Sequence, residues 1–200
     1  MRWVYTPTAI RVLQKAFNKY PAKVIKDHLK AIYFAGVLDD GGLNYGGTYD
    51  PFRKIIYLIN DGQENDDKAL YVFHHEFSSL LLKSHSFRED PWIDNNPETF
   101  KYLREKYNWK TLLKKVDTLK EGSEQDYKKG FIRIYGQIDF ENDFNEYSGM
   151  ILTYPEKFKK LMDKYPRVRG KFQVWLEFYH EIDPIFTEEY LFGKAVQVKE

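Results

Sequence analysis

The sequence contains no cysteine among its 200 residues. This absence excludes a disulfide framework, a zinc site built on thiolates and a cysteine nucleophile. Any metal ion would have to be held by histidine and carboxylate side chains. The absence does not identify a compartment, because it is compatible with a reducing cytoplasm and with an exported protein.

An excess of one charge and long apolar runs are also missing. The 31 basic and 30 acidic residues leave a formal net charge of +1, which gives no electrostatic reason to expect nucleic acid or an anionic membrane as a partner. No stretch approaches the roughly 18 apolar residues of a membrane span. Residues 1–7 lack the apolar segment of a secretory signal, and this leaves open whether the native protein has a leader or a lipid anchor that has been removed.

The residues that are present have the composition of a globular domain, 42% hydrophobic and 30% charged. Apolar periodicity predicts strands at 31–35 and 54–59, an edge strand starting at Thr48, and a long helix from about 67 to 84. Further helices are predicted at 9–19, 22–29, 98–107, 140–152, 155–165 and 168–182. This order of elements predicts an α+β fold with a small sheet and a mainly helical second half.

The long helix carries the pentapeptide HEFSS, which begins at His75. It matches the zincin motif H-E-x-x-H everywhere except at the last position, where Ser79 stands. In that motif two histidines one turn apart bind one zinc ion, and the glutamate is the general base for the metal-bound water. At about 100° per residue, His75, Glu76 and Ser79 face away from the apolar side of the helix.

A later helix, predicted at 140–152, has an acidic face near its start. Glu146 lies on it 70 residues after Glu76. A gluzincin, the zincin subclass with a glutamate as third zinc ligand, places that ligand at about this distance. The two segments together therefore favour a gluzincin-type site.

Two segments of the chain resemble the gluzincin-like zinc-binding metallopeptidase lipoproteins of Bacteroidetes, namely HHEFSSLL at 74–81 and DFNEYS at 143–148. The family pattern is H-H-E-F-x-H-I-L followed by E-D-F-A-E. The resemblance extends over most of the chain and implies one zincin-like domain over residues 1–200. Its upper lobe, about 1–85, would hold a small twisted sheet and the motif helix, and its lower lobe, about 86–200, would be helical.

The resemblance also implies a role for each matching position. His75 would be the first zinc ligand, Glu76 the general base, Glu146 the third ligand and Asp143 a carboxylate that orients an imidazole ligand. Ser79 departs from the pattern at the second ligand position. Members of the family are often encoded beside nutrient-import systems, which implies an exported lipoprotein at the cell surface or outer membrane.

The serine at position 79 weakens the expected metal site. A neutral hydroxyl is a poor zinc ligand, and a catalytic site ordinarily has three protein ligands. His74 points about 100° away from His75 around the helix, and His85 lies ten residues beyond His75, about 15 Å along the helix axis. His180 could approach from another element, although a surface position is the better interpretation. We therefore expect zinc to bind weakly or not at all.

Two functions of different classes remain open. The first is a zinc peptidase of weak or no activity, with His75 and Glu146 on the metal, Glu76 as base, and a tyrosine on the oxyanion; the candidates are Tyr135, Tyr147 and Tyr154. The second is a non-catalytic surface module, associated with nutrient uptake, whose cleft holds a peptide, glycan or partner protein. For the peptidase, the edge strand before the motif helix would hold the substrate as an added strand.

Overall fold

The computed structural model describes residues 7–36, 38, 46–59, 66–108, 111–112 and 120–193. Two helices open the described chain, and a three-stranded sheet and a long helix follow. In chain order these elements are α1 (Pro7–Phe17), α2 (Ala22–His28), β1 (Ala31–Ala35), β2 (Gly47–Asp50), β3 (Ile55–Ile59) and α3 (Asp66–Ser84). The predicted strands and the long helix are present, each beginning within one residue of the expected position.

The sheet is mixed, with the strand order β1-β3-β2. β1 pairs with β3 in parallel, and β2 pairs with β3 antiparallel. The central strand alternates as a half-buried strand does, with Ile56 and Leu58 in the core. β2 is short and forms one edge of the sheet, beside α3. The sequence predicted an edge strand at this position.

Helix α3 is buried on two sides. Phe73 packs on Phe17 of α1, with ring centroids 5.8 Å apart, and Phe77 packs on Tyr20 in the connection between α1 and α2, with ring centroids 4.9 Å apart. The opposite side packs against a helix of the second half, where Ser78 accepts a hydrogen bond from the Ser148 hydroxyl at 2.8 Å. Small side chains at this second interface let the two helices approach closely, and this approach forms the site described below.

The second half is mainly helical, as predicted. Its α-helices include α4 (Asp90–Ile93), α5 (Glu124–Lys128), α6 (Phe140–Thr153), α7 (Pro155–Lys164), α8 (Pro166–Ile182) and α9 (Glu188–Phe192). Proline at the first position of α7 and α8 suits a helix start, because its φ is already helical. Buried aromatic rings fill the space between these helices. Within the described ranges, no helix is both long enough and apolar enough to cross a membrane.

The helix predicted at 98–107 is wrong. Only a short 3-10 turn, Leu103–Glu105, forms there, whereas α4 forms earlier in the chain, where no helix was predicted. Tertiary contacts explain the difference: the Phe100 ring packs on Phe131 at 4.5 Å, and the Arg104 amide donates to the Ile138 carbonyl. Such contacts override local helix propensity. The segment 131–135 makes a single bridge at Arg133 and then a 3-10 turn, Ile134–Gln137.

Candidate functional site

A cavity of about 740 Å³ opens between β2, α3, the start of α6 and the turn at Ile134–Gln137. Gly47 lets β2 lie close to α3, because a Cβ atom there would be 2.6 Å from Val72 and 3.3 Å from the Glu76 side chain. The residues that line the cavity include Gly47, Thr48, Tyr49, His75, Glu76, Ser79, Lys83, Arg104, Tyr135, Glu141 and Asn145. Of the positions singled out from the sequence, His75, Glu76, Ser79 and Tyr135 line the cavity.

The close packing of α3 on α6 brings His75 and Glu146 together. His75 Nδ1 lies 3.4 Å from Glu146 Oε1, and both side chains are buried. Burial opposes the charged form of the imidazole, but the hydrogen bond to Glu146 and the charges of Glu76, Glu146 and Glu141 outweigh it and raise the pKa of His75. His75 lines the cavity, and Glu146 lies behind it.

Glu146 also contacts two side chains that the sequence did not indicate. The Tyr71 hydroxyl donates to Glu146 Oε2 at 2.5 Å, and Arg133 Nε lies 3.8 Å from the same oxygen. The Arg133 guanidinium stacks over the Tyr71 ring, 4.6 Å from its centroid. Both carboxylate oxygens of Glu146 therefore face donor groups. Tyr71 lies one helical turn before His75 and so on the same side of α3, a signal that could have identified it.

Glu76 is half-buried in the cavity wall, next to His75 in sequence. Removal from solvent raises the pKa of its carboxyl group to about 7, an effect that the charge of His75 opposes and the charge of Glu141 reinforces. Glu141, in contrast, accepts hydrogen bonds from Tyr49 at 2.5 Å and Lys83 at 2.6 Å. Glu76 is thus a carboxyl group that can gain or lose a proton near neutral pH.

Ser79 lies one turn after His75, as the motif requires. Its hydroxyl is buried and accepts a hydrogen bond from the side-chain amide of Asn145 at 2.7 Å. Asn145 immediately precedes Glu146 on α6, so adjacent residues of that helix contact Ser79 and His75, the two expected ligand positions on α3. The second ligand position is therefore part of a hydrogen bond between the two helices.

The histidines considered as replacement ligands have other partners. His74 is fully buried, with Nδ1 2.9 Å from the Tyr20 hydroxyl, and burial lowers the pKa of its imidazole to about 3. His85 Nε2 contacts His28 Nε2 at 2.8 Å, and His180 Nδ1 contacts a backbone carbonyl, that of Phe186, at 3.1 Å.

Asp143 lies in the core rather than beside His75. Its Oδ2 accepts hydrogen bonds from Lys171 at 2.5 Å, Trp92 at 2.9 Å and Tyr102 at 2.8 Å. Both Asp143 and Lys171 are fully buried. Burial raises the pKa of the Asp143 carboxyl, although the Lys171 charge opposes this. The orienting role that the resemblance implies for Asp143 stays a prediction, and the contacts here are those of a buried ion pair.

The three candidate tyrosines have different surroundings. The Tyr135 ring lies 5.8 Å from the His75 ring and lines the cavity. Tyr147 is buried and donates to the Gly130 carbonyl at 2.9 Å. Tyr154 packs near Tyr71, with ring centroids 6.4 Å apart. Tyr135 is therefore the candidate that faces the cavity beside His75.

The side chains present do not fit a catalytic zinc ion. In the part of the chain that the structure describes, no three His, Asp or Glu side chains form a group that could hold a metal ion. His75 and Glu146 supply two suitable donors, but Ser79 adds only a neutral hydroxyl that already accepts a hydrogen bond. Three protein ligands are the rule at such a site.

Comparison with known proteins supports the fold and little more. No family model matches the sequence, and no curated protein matches it. The structure is similar to the crystal structure of a "putative zinc-binding metallo-peptidase" from Bacteroides caccae, with a TM-score of 0.54 and 13% sequence identity. The match covers 95% of this chain and 79% of that chain. At this identity the likeness shows a shared α+β fold, and it does not transfer a metal or an activity.

Proposed function

We propose that this protein is a non-catalytic binding protein built on a zinc-metallopeptidase-like fold, and that its cleft holds an extended peptide without a metal ion. One observation carries the proposal: two of the three expected ligand positions, Ser79 on α3 and Glu146 on α6, are already engaged by protein groups other than His75. Glu146 contacts Tyr71 and Arg133, and Ser79 accepts from Asn145.

The metal-free part of the proposal is tested by measuring the zinc content and zinc affinity of the purified protein. We expect far less than one zinc per chain and no rise in melting temperature on adding zinc. His75→Ala is the informative variant, and His85→Ala is its control, because His85 contacts His28 away from the cavity. About one zinc per chain that disappears in His75→Ala alone would refute the proposal.

The position of β2 favours a peptide as the ligand. The Ile59 amide donates to the Gly46 carbonyl, so the alternation of an antiparallel ladder turns the backbone groups of Gly47 and Tyr49 away from β3. Both residues line the cavity. An extended peptide could therefore pair with the outer edge of β2 through main-chain hydrogen bonds, with its side chains in the cavity.

Peptide binding is tested with short unstructured peptides of varied sequence. Tyr49→Pro removes the outward N–H of β2, and Tyr49→Phe keeps that N–H while removing the hydroxyl. Loss of a main-chain hydrogen bond should weaken peptide binding about fivefold in Tyr49→Pro and leave it nearly unchanged, by this mechanism, in Tyr49→Phe. Equal affinities for the two variants, or no binding of any peptide by the unaltered protein, would contradict this ligand class.

A zinc-dependent hydrolase is the second candidate function. The observation in its favour is the raised pKa of the Glu76 carboxyl group. A carboxyl group with a pKa of about 7 is well matched to general-base catalysis near neutral pH. If the protein hydrolyses peptides, Glu76→Gln should abolish the activity and Glu89→Gln, at the cavity rim, should retain it. If it only binds them, peptide affinity should be similar in Glu76→Gln and the unaltered protein.

A further inference from the structure

We infer that Arg133 is the internal cation that pairs with Glu146 where a metallopeptidase would have a metal ion. It follows that restoring a histidine at position 79 is not sufficient to create a tight zinc site. The inference rests on the proposed metal-free function of the cleft. It attributes the absence of a tight zinc site in part to Arg133, which lies outside the H-E-x-x-H motif.

The burial of Glu146 makes a positive partner necessary. Only 2% of this residue is exposed, and a buried carboxylate is costly unless a cation and hydrogen-bond donors compensate for lost water. In a gluzincin-type site a zinc ion would provide that charge. Here Arg133 and the Tyr71 hydroxyl face Oε2, while His75 faces Oε1. The donors around the carboxylate therefore come from the protein.

The fold holds Arg133 in place by several contacts. Its segment bridges to Glu121 on one side, and its guanidinium lies on the Tyr71 ring. The turn that follows can approach α6 because it contains Gly136, where a Cβ atom would lie 3.2 Å from the Asp143 backbone. Arg133 is half-buried as a result. It is therefore a fixed part of the site, unlike an exposed lysine at a cavity rim.

A fixed guanidinium beside Glu146 should disfavour zinc in two ways. It competes for a carboxylate oxygen, which zinc needs at about 2.0–2.2 Å. It also repels a divalent cation, and this repulsion is strong where little solvent screens it. Changes to neighbours of a metal ligand typically alter metal affinity about 10–100-fold. We therefore expect Arg133 to weaken zinc binding by about 100-fold even when a second histidine is present.

The experiment compares zinc dissociation constants for the full chain and three variants, Ser79→His, Arg133→Met and Ser79→His/Arg133→Met, by competition with a chelator. Ser79→His/Arg104→Met is the matched control, because Arg104 is another cation on the cavity wall. We expect the first double variant to bind about one zinc per chain, about 100-fold more tightly than Ser79→His, and the control to behave like Ser79→His.

Two results would overturn the inference. The first is equal zinc affinity for Ser79→His and for Ser79→His/Arg133→Met. The second is a Ser79→His/Arg133→Met variant that binds no zinc. If the unaltered protein remains metal-free in the first case, the proposed function survives and only the role of Arg133 is wrong. Zinc bound through His75 in the unaltered protein would instead defeat the proposed function.

Stability measurements keep the inference testable if Arg133→Met folds poorly. That variant leaves buried Glu146 without its guanidinium partner and with His75 as the remaining basic neighbour, so its melting temperature should fall, and Arg133→Met/Glu146→Gln should recover most of the loss because it removes both charges. Equal melting temperatures for the unaltered protein and Arg133→Met would show that Glu146 does not need this cation, and would also overturn the inference.

Discussion

Replacing Glu76 by glutamine should stabilise the protein at pH 8 and leave its stability nearly unchanged at pH 4. The carboxyl group is half-buried in the cavity wall, and burial raises its pKa from 4.5 to about 7. The folded chain therefore retains this proton over a range in which the unfolded chain has released it. Because the unfolded state binds fewer protons there, the stability of the folded state falls as the pH rises from about 4.5 to 7.

The size of the effect follows from the shift in pKa. Each pKa unit corresponds to about 1.4 kcal/mol, so a displacement from 4.5 to about 7 sets an upper bound of about 3.5 kcal/mol. Part of the Glu76 side chain reaches the cavity, where solvent screens its charge. We therefore expect a gain of about 1–3 kcal/mol for Glu76→Gln at pH 8.

Urea denaturation of both proteins at pH 4 and pH 8 measures this difference. The raised pKa of His75 adds stability that is present in acid and is lost as the pH rises through that pKa, so the two proteins are compared with each other at the same pH. Glu89→Gln is the control, because Glu89 lies at the same cavity but is exposed. A Glu76→Gln variant that is less stable than the unaltered protein at pH 8 would refute the reasoning.

Two further substitutions test the packing around the site. Lys171→Met should cost about 3–5 kcal/mol by leaving Asp143 buried and unpaired, and Lys171→Met/Asp143→Asn should recover part of that loss, as measured by urea denaturation. Gly149→Ala should cost about 1–3 kcal/mol, because its Cβ would be 2.7 Å from the Tyr71 ring, whereas Gly36→Ala meets no atom within 4 Å and should be nearly neutral. Thermal melts in which the two alanine variants behave alike would contradict the second expectation.

The sequence predicted the elements whose pattern is local. Helix α3 has apolar residues at spacings of three and four, and β3 is a run of β-branched and aromatic residues between turn signals, so both were located within one residue. The proximity of His75 and Glu146 was also expected, from the zincin motif and the later acidic helix. That expectation drew on a known arrangement of two helices, since nothing local to either segment specifies their contact.

The partners of the site residues could not be predicted because they come from distant parts of the chain. Asp143 pairs with Lys171, which is 28 residues away and belongs to a helix that reads as amphipathic. Arg133 belongs to a segment whose sequence is compatible with a strand, and only its packing on Tyr71 and Glu146 assigns it a role. The helix prediction for residues 98–107 was wrong for the same reason, because Phe100 packs on the distant residue Phe131 instead of on a helical face.

These contacts change how the serine at position 79 should be understood. If only one ligand had been lost from a zinc site, Glu146 would remain as a buried carboxylate with a single imidazole beside it, and the site would destabilise the fold. The structure instead has an arginine and a tyrosine beside Glu146 and an amide hydrogen bond to Ser79. A relative that keeps histidine at position 79 should then lack a cation at position 133, because zinc and a guanidinium would compete for the same carboxylate.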